Sequence, residues 1–186
     1  MSSSFQIDLT PLEESISRVA QTIAGKLAAS KSLWIMGNGG SASTADHFEI
    51  DLLSIKFPQL GTPIRAFSMN SNLSVITAIA NDVGYDEVFS LQLMRKATSG
   101  DVAVLISASG SSPNLVKAAE ICRLMEIETI GILGFDGGAL RGKLTHLIHI
   151  ETPLGEYAES ENYHLAVCHR ISRLIREMFF GKASIN

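Results

Sequence analysis

From residue 12 to residue 29 the apolar side chains Leu12, Ile16, Val19, Ala20, Ile23 and Leu27 recur at intervals of three and four, the spacing that gathers them on one face of an α-helix. Thr10 and Pro11 ahead of them supply a candidate N-cap and a proline at the first helical position, where its missing N–H costs nothing. Leu33-Trp-Ile-Met36 is then a short unbroken apolar run ending in Gly37-Asn-Gly-Gly40, and residues 41–53 return to helical spacing. That segment predicts strand, turn and helix. Further strands are predicted over residues 64–69, 102–106, 129–133 and 146–150. Further helices are predicted over 72–80, 87–97, 114–125 and 161–179, with turns at Asn81-Asp-Val-Gly84 and Phe135-Asp-Gly-Gly138.

Strands that alternate with helices in this way build a parallel sheet covered on both sides, a doubly wound α/β fold. Val102-Ala-Val-Leu-Ile106 fits it, because a strand buried on both faces shows no polar alternation. Residues 1–186 are expected to form one domain, with an N-terminal helix over about 10–30, an α/β core over about 31–155 and a C-terminal helix over about 161–180. In such sheets ligands bind beyond the carboxyl ends of the strands, where the strand order reverses.

Composition narrows the ligand. The chain is 46% apolar and 18% charged, as a compact globular domain is. Its 15 basic and 19 acidic side chains give a net charge of -4. No positive field reaches out to a nucleic-acid backbone or an anionic membrane, and neither is an expected partner. An anionic ligand would have to be held locally. Cys122 and Cys168 are far apart without a CxxC spacing, no apolar run has the length of a membrane helix, and the first residues lack the build of a signal peptide. The expected location is the cytoplasm.

Two polar loops follow strands and lead into helices. Gly37-Asn-Gly-Gly-Ser41 contains Asn38, Gly39 and Gly40, and lets the backbone approach an anion at a helix N-terminus. With Ala42 it also matches G-x-G-x-x-A. The acidic residue that a dinucleotide wants after the second strand is replaced by Ser68-Met-Asn70, so no nucleotide cofactor is expected. The second loop, Ser107-Ala-Ser-Gly-Ser-Ser-Pro-Asn114, includes Ala108, Ser109 and Ser112. Its hydroxyls and the helix N-terminus can surround a phosphate without a lysine. The plainer reading is that Ser112 or Asn114 caps the helix. If the first and third strands are neighbours, the two loops converge on a small phosphate site.

His47 and Asp51 are four apart on the helix after the glycine loop and share a face. On the last helix Glu161 and His169 are separated by about 80° around the axis, with His164 on the other flank. Two carboxylates and two imidazoles suit either a divalent metal such as zinc or the acid and base of a proton transfer, and spacing alone does not choose. Each also has a bland reading as a surface pair or a buried hydrogen-bonded histidine. His146 and His149 read as structural, and Cys168 as a small buried hydrophobe.

Taken in order along nearly the whole chain, Gly37-Asn-Gly-Gly-Ser-Ala42 with His47, Ala78-Ile-Ala-Asn-Asp-Val-Gly84, Ile106-Ser-Ala-Ser-Gly-Ser-Ser-Pro-Asn114, Gly134-Phe-Asp-Gly-Gly138, and Glu161 followed by His164 and His169 resemble the sugar isomerase (SIS) domain proteins of the sedoheptulose 7-phosphate isomerase group. The resemblance implies a five-stranded parallel sheet in flavodoxin-like order, a homotetramer, and sites shared between subunits. It implies that Ser41, Ser107, Ser109 and Ser112 cradle the phosphate and that Asn38 and Asp82 line the sugar site. It also implies that His47, Asp51, Glu161 and His169 hold the metal, zinc, and that Asp51 and His169 are catalytic. Four positions depart from the pattern: Asp51 stands for a glutamate, Glu161 for a glutamine, Ala108 for a threonine, and Ile55 beside Lys56 for an arginine.

The expected activity is aldose-ketose isomerisation of a sugar phosphate, with sedoheptulose 7-phosphate as substrate and an enediolate between. The rival is a non-catalytic tetrameric sugar-phosphate sensor or protein-binding adaptor on the same fold, of the kind that associates with a replication initiator. Four retained ionisable residues favour the enzyme. The apolar faces of the first and last helices are the expected subunit interfaces.

Overall fold

A computed structural model of the chain describes residues 7–55 and 63–181. Its elements are α1 (Glu13–Ala28), β1 (Leu33–Gly37), α2 (Gly40–Leu53), β2 (Ala66–Ser68), α3 (Leu73–Asp82), α4 (Ser90–Lys96), β3 (Val102–Ser107), α5 (Pro113–Leu124), β4 (Glu128–Leu133), β5 (His146–His149) and α6 (Tyr157–Phe180). The five strands are parallel in the order β2-β1-β3-β4-β5. This is the expected doubly wound arrangement.

The central strands feed two cores, because alternate side chains point to opposite faces. Leu33 and Ile35 of β1 with Val102, Val104 and Ile106 of β3 pack under α1, α2 and α6, with Phe48, Leu52 and Ile171 among them. Trp34, Met36, Ala103 and Leu105 pack on the other side against Ile79, Leu93, Leu115 and Cys122. The apolar stripe of α1 is spent inside the chain: Ile16, Val19, Ile23 and Leu27 are buried with α6 against the sheet. The expectation that α1 keeps its apolar face for a neighbour is thereby corrected. Large apolar residues left exposed include Tyr157 and Met178 on α6, Ile50 and Leu53 on α2, and Leu73, Val83 and Tyr85 around α3.

Several boundaries differ from the periodicity. Thr10 is no N-cap to α1: residues Thr10–Leu12 form a 3-10 turn ahead of it, whose first N–H is accepted by the Asp8 carboxylate at 2.9 Å. The second strand shrinks to Ala66–Ser68 because only three residues pair with β1. The helix expected over 87–97 becomes a 3-10 turn at Tyr85–Glu87 followed by the shorter α4. The last helix starts four residues early, at Tyr157, since its first turn has no apolar stripe to announce it. No helix among the described residues is long and apolar enough to cross a membrane.

Candidate functional site

At the centre of the sheet β1 pairs with β3, Gly37 opposite Ile106. Here the chain order reverses, so the loops after the two strands leave toward opposite faces and open a crevice between them. The two polar loops converge there. A recess of about 160 Å³ is lined by Asn38 and Ser41 from the glycine loop and by Ser107, Ala108, Ser109 and Ser112 from the serine loop. Tyr157 and Glu161, from the first turns of α6, complete its wall. Gly39 turns the backbone into α2 at φ +57, a conformation that costs other residues about 1 kcal/mol or more.

Of the two capping candidates, Asn114 accepts from the Leu115 N–H at 2.9 Å in the first turn of α5, but Ser112 does not cap. Ser112 occupies the N-cap position of α5, yet its hydroxyl makes no capping hydrogen bond. Ser107 and Ser109 shape their own loop, their Oγ atoms accepting from the N–H groups of Gly110 and Ser111 at 2.9 and 3.3 Å. The starts of α2 and α5 flank the recess, where the positive ends of two helix dipoles favour an anion.

Three residues that the sequence reading left without a role in the site hold the loops in register. The side-chain amides of Asn38 and Asn114 exchange two hydrogen bonds of 2.9 Å, tying the glycine loop to the start of α5. The Tyr85 hydroxyl donates to the same Asn38 oxygen at 3.0 Å. Asn70, beyond β2, donates to the Gly37 carbonyl at 2.8 Å and accepts from the Gly37 N–H at 3.2 Å. Nothing local in the sequence marks these pairs, because their members are 33 to 76 residues apart.

The ionisable residues fall into two groups. α2 and α6 pack side by side, and their facing turns bring His47, Asp51 and His169 together. Asp51 accepts from His169 Nδ1 at 2.8 Å with one oxygen and lies 3.5 Å from His47 Nε2 with the other. The two imidazole rings meet edge to face at 4.9 Å. One donor atom from each of the three lies within 4.8 Å of the others, and two imidazoles with a carboxylate are a donor set that suits a divalent ion. A recess of about 280 Å³ opens beside Asp51 and His169, with Ser172, Arg173 and Arg176 on its rim.

Glu161 is not part of this trio. It lies eight residues before His169, about 12 Å along the helix, and its carboxylate rests over Gly40, where any β-carbon would collide with it. The structure thus places Glu161 in the serine recess and apart from the three other proposed metal ligands of its own chain. Asp82 is exposed at the end of α3, accepts from Asn81 at 2.8 Å and is absent from the lining of the serine recess. Lys56 lies outside the described residues; Ile55 is buried.

The remaining histidines and cysteines are structural. His164 is fully enclosed, and burial pushes its pKa down to about 4, with the Leu133 carbonyl offsetting a little of that. His149 Nε2 lies 3.0 Å from the Phe135 carbonyl oxygen, and His146 lies 3.5 Å from Glu128. Burial raises both thiols, Cys122 to about 12, so neither is a nucleophile at neutral pH.

The sequence signature of the SIS domain matches residues 6–134. The chain belongs to the SIS domain family. Over 178 residues it is 35% identical to the phosphoheptose isomerase of Trichlorobacter lovleyi, covering 95% of this chain and 89% of the relative. It is 36% identical to that of Shewanella pealeana, covering 85% and 80%. The solved structure of phosphoheptose isomerase from Neisseria gonorrhoeae superposes with a TM-score of 0.81 at 29% identity, covering 88% of this chain and 86% of that one. The Francisella tularensis phosphoheptose isomerase gives 0.82 at 27% identity, over 90% and 88%. Within the SIS family the chain therefore groups with the phosphoheptose isomerases.

Proposed function

We propose that the protein is a cytoplasmic phosphoheptose isomerase that interconverts sedoheptulose 7-phosphate and D-glycero-D-manno-heptose 7-phosphate. The observation that carries the reading is the presence of a serine-lined anion recess and an acid/base trio that both draw residues from α2 and α6. The recess gives the phosphate a cradle of hydroxyls and helix N-termini. Held there, the open-chain sugar presents its first two carbons in a fixed orientation, which removes much of the entropic cost of the reaction. Aldose-ketose isomerisation then needs a base to take the proton from the carbon next to the carbonyl and an acid to return one.

Asp51 and His169, hydrogen-bonded to each other, divide these two tasks. A zinc ion held by His47, Asp51 and His169 would polarise the sugar carbonyl and its enediolate. Because Glu161 lies beyond reach of the trio in its own chain, it could join such an ion only from a second copy. This supports an assembly with shared sites, which we propose to be a homotetramer. The intact trio speaks against the sensor or adaptor reading, which needs no acid or base.

The test is turnover of sedoheptulose 7-phosphate by the purified chain, with and without added zinc, beside Asp51→Asn and His169→Ala. Wild type should convert the substrate, and each variant should lose at least about a hundredfold in kcat. Absence of turnover by the metal-loaded wild type rejects the substrate; turnover undiminished in both variants rejects the assigned roles.

A further inference from the structure

Among the described residues, three with side chains other than hydrogen have positive φ: Ser30, Glu126 and Phe135. The first two follow the C-terminal ends of α1 and α5, where left-handed residues end helices routinely. Phe135 is different. It follows β4 in a loop, at φ +44, a conformation that is costly for a bulky side chain and persists only when its surroundings impose it.

The imposition is visible. The Phe135 N–H donates to the Thr152 hydroxyl at 3.2 Å, its carbonyl meets His149 Nε2 at 3.0 Å, and Thr152 is in turn hydrogen-bonded to Ser160 on α6. Held in this way, the buried Phe135 ring meets the Tyr157 ring edge to face at 5.1 Å and 75°. Tyr157 is 55% exposed, so its ring does little for the core, yet it lines the serine recess. Four residues on, one turn along α6 on the same face, is Glu161. Among the described residues, the wall of the recess has no lysine or arginine, and Glu161 brings its one carboxylate.

We propose that Tyr157 is a further substrate-binding residue, a neutral phenol donor that Phe135 holds against the phosphate ester in the serine recess. This deepens the isomerase reading and rests on it. The ring screens the bound phosphate from water and from the Glu161 charge, and the hydroxyl adds a charge-assisted hydrogen bond. These contacts are the same in ground and transition states, so they set KM and leave kcat alone.

The test compares Tyr157→Phe, Tyr157→Ala and Ser109→Ala with wild type, by steady-state kinetics on sedoheptulose 7-phosphate and by calorimetric titration with inorganic phosphate. Removing the hydroxyl should weaken phosphate binding and raise KM by about threefold to tenfold, and removing the ring by about tenfold or more, with kcat within about twofold. Thermal midpoints should not move, as expected for a half-exposed ring. If Ser109→Ala weakens phosphate binding while both Tyr157 variants bind as wild type does, Tyr157 has no such role and the recess stands. If neither Ser109→Ala nor the Tyr157 variants alter phosphate binding, the anion recess itself is refuted, and Tyr157 with it.

Discussion

Two buried ionisable side chains, Asp101 and His164, show how partners decide the charge of a group. Burial pushes the Asp101 carboxyl upward, but N–H donors from Ser32 at 2.9 Å, Thr98 at 3.0 Å and Trp34 Nε1 at 3.0 Å outweigh it and hold the pKa below its usual value. Asp101 is thus an ionised staple between the starts of β1 and β3. His164 has no comparable partners, since neither ring nitrogen makes a hydrogen bond of good geometry, and it stays neutral with a pKa of about 4. In the unfolded chain the same imidazole titrates near 6.5. Between these values the unfolded chain binds a proton that the folded chain refuses. Stability present in full above about pH 6.5 therefore falls as the pH drops toward 4, by up to about 3 kcal/mol. Urea denaturation from pH 7 to pH 5 should show this decline in wild type and a markedly flatter profile in His164→Leu; parallel profiles would show that His164 takes up its proton without unfolding.

At the scale of elements, the serine loop owes its shape to the turn after β4. The Gly134 N–H donates to the Ser107 carbonyl at 3.0 Å, and the Leu140 N–H to the Gly110 carbonyl at 2.9 Å. Gly110 itself sits at φ +60, with the Gly137 carbonyl so close that a β-carbon would collide with it. Gly110→Ala combines a left-handed penalty with a backbone clash, and is expected to cost about 2–4 kcal/mol in urea denaturation and to weaken phosphate binding with it. Unchanged phosphate affinity would show that the recess does not depend on this interlock. Such contacts explain what the sequence displays and what it hides. The buried strands are legible because their unbroken apolar runs answer to two covered faces, and their order made the meeting of the two loops foreseeable. His47 with Asp51 is legible from spacing along one helix. His169 joins them, and Glu161 parts from them, because of how α2 and α6 lie together, which no local pattern records. Phe135 and Asn114 are hidden for the same reason: one is defined by a backbone angle, the other by a partner 76 residues away.

For the molecule as a whole, the decisive geometry is the separation of recess and trio along α6. Asp51 is flanked on α2 by Ile50, 61% exposed, and by exposed Leu53, while exposed Val83 puts apolar surface beside Asp82 at the end of α3. Apolar residues gathered around ionisable groups on two helices are what a subunit contact through the site would need. On the proposed shared site, the recess of one chain works with the trio of another, and two differently damaged chains can repair each other. Asp51→Asn keeps the recess and breaks the acid/base pair; Ser109→Ala with Ser112→Ala keeps the pair and lacks the cradle. Each protein alone should be nearly inactive. Coexpressed as mixed oligomers in equal amounts, they should regain about a quarter of wild-type activity, since random assembly puts an intact recess against an intact trio in one pairing of four. Were each site completed within one chain, every chain in the mixture would carry a lesion and no activity would return.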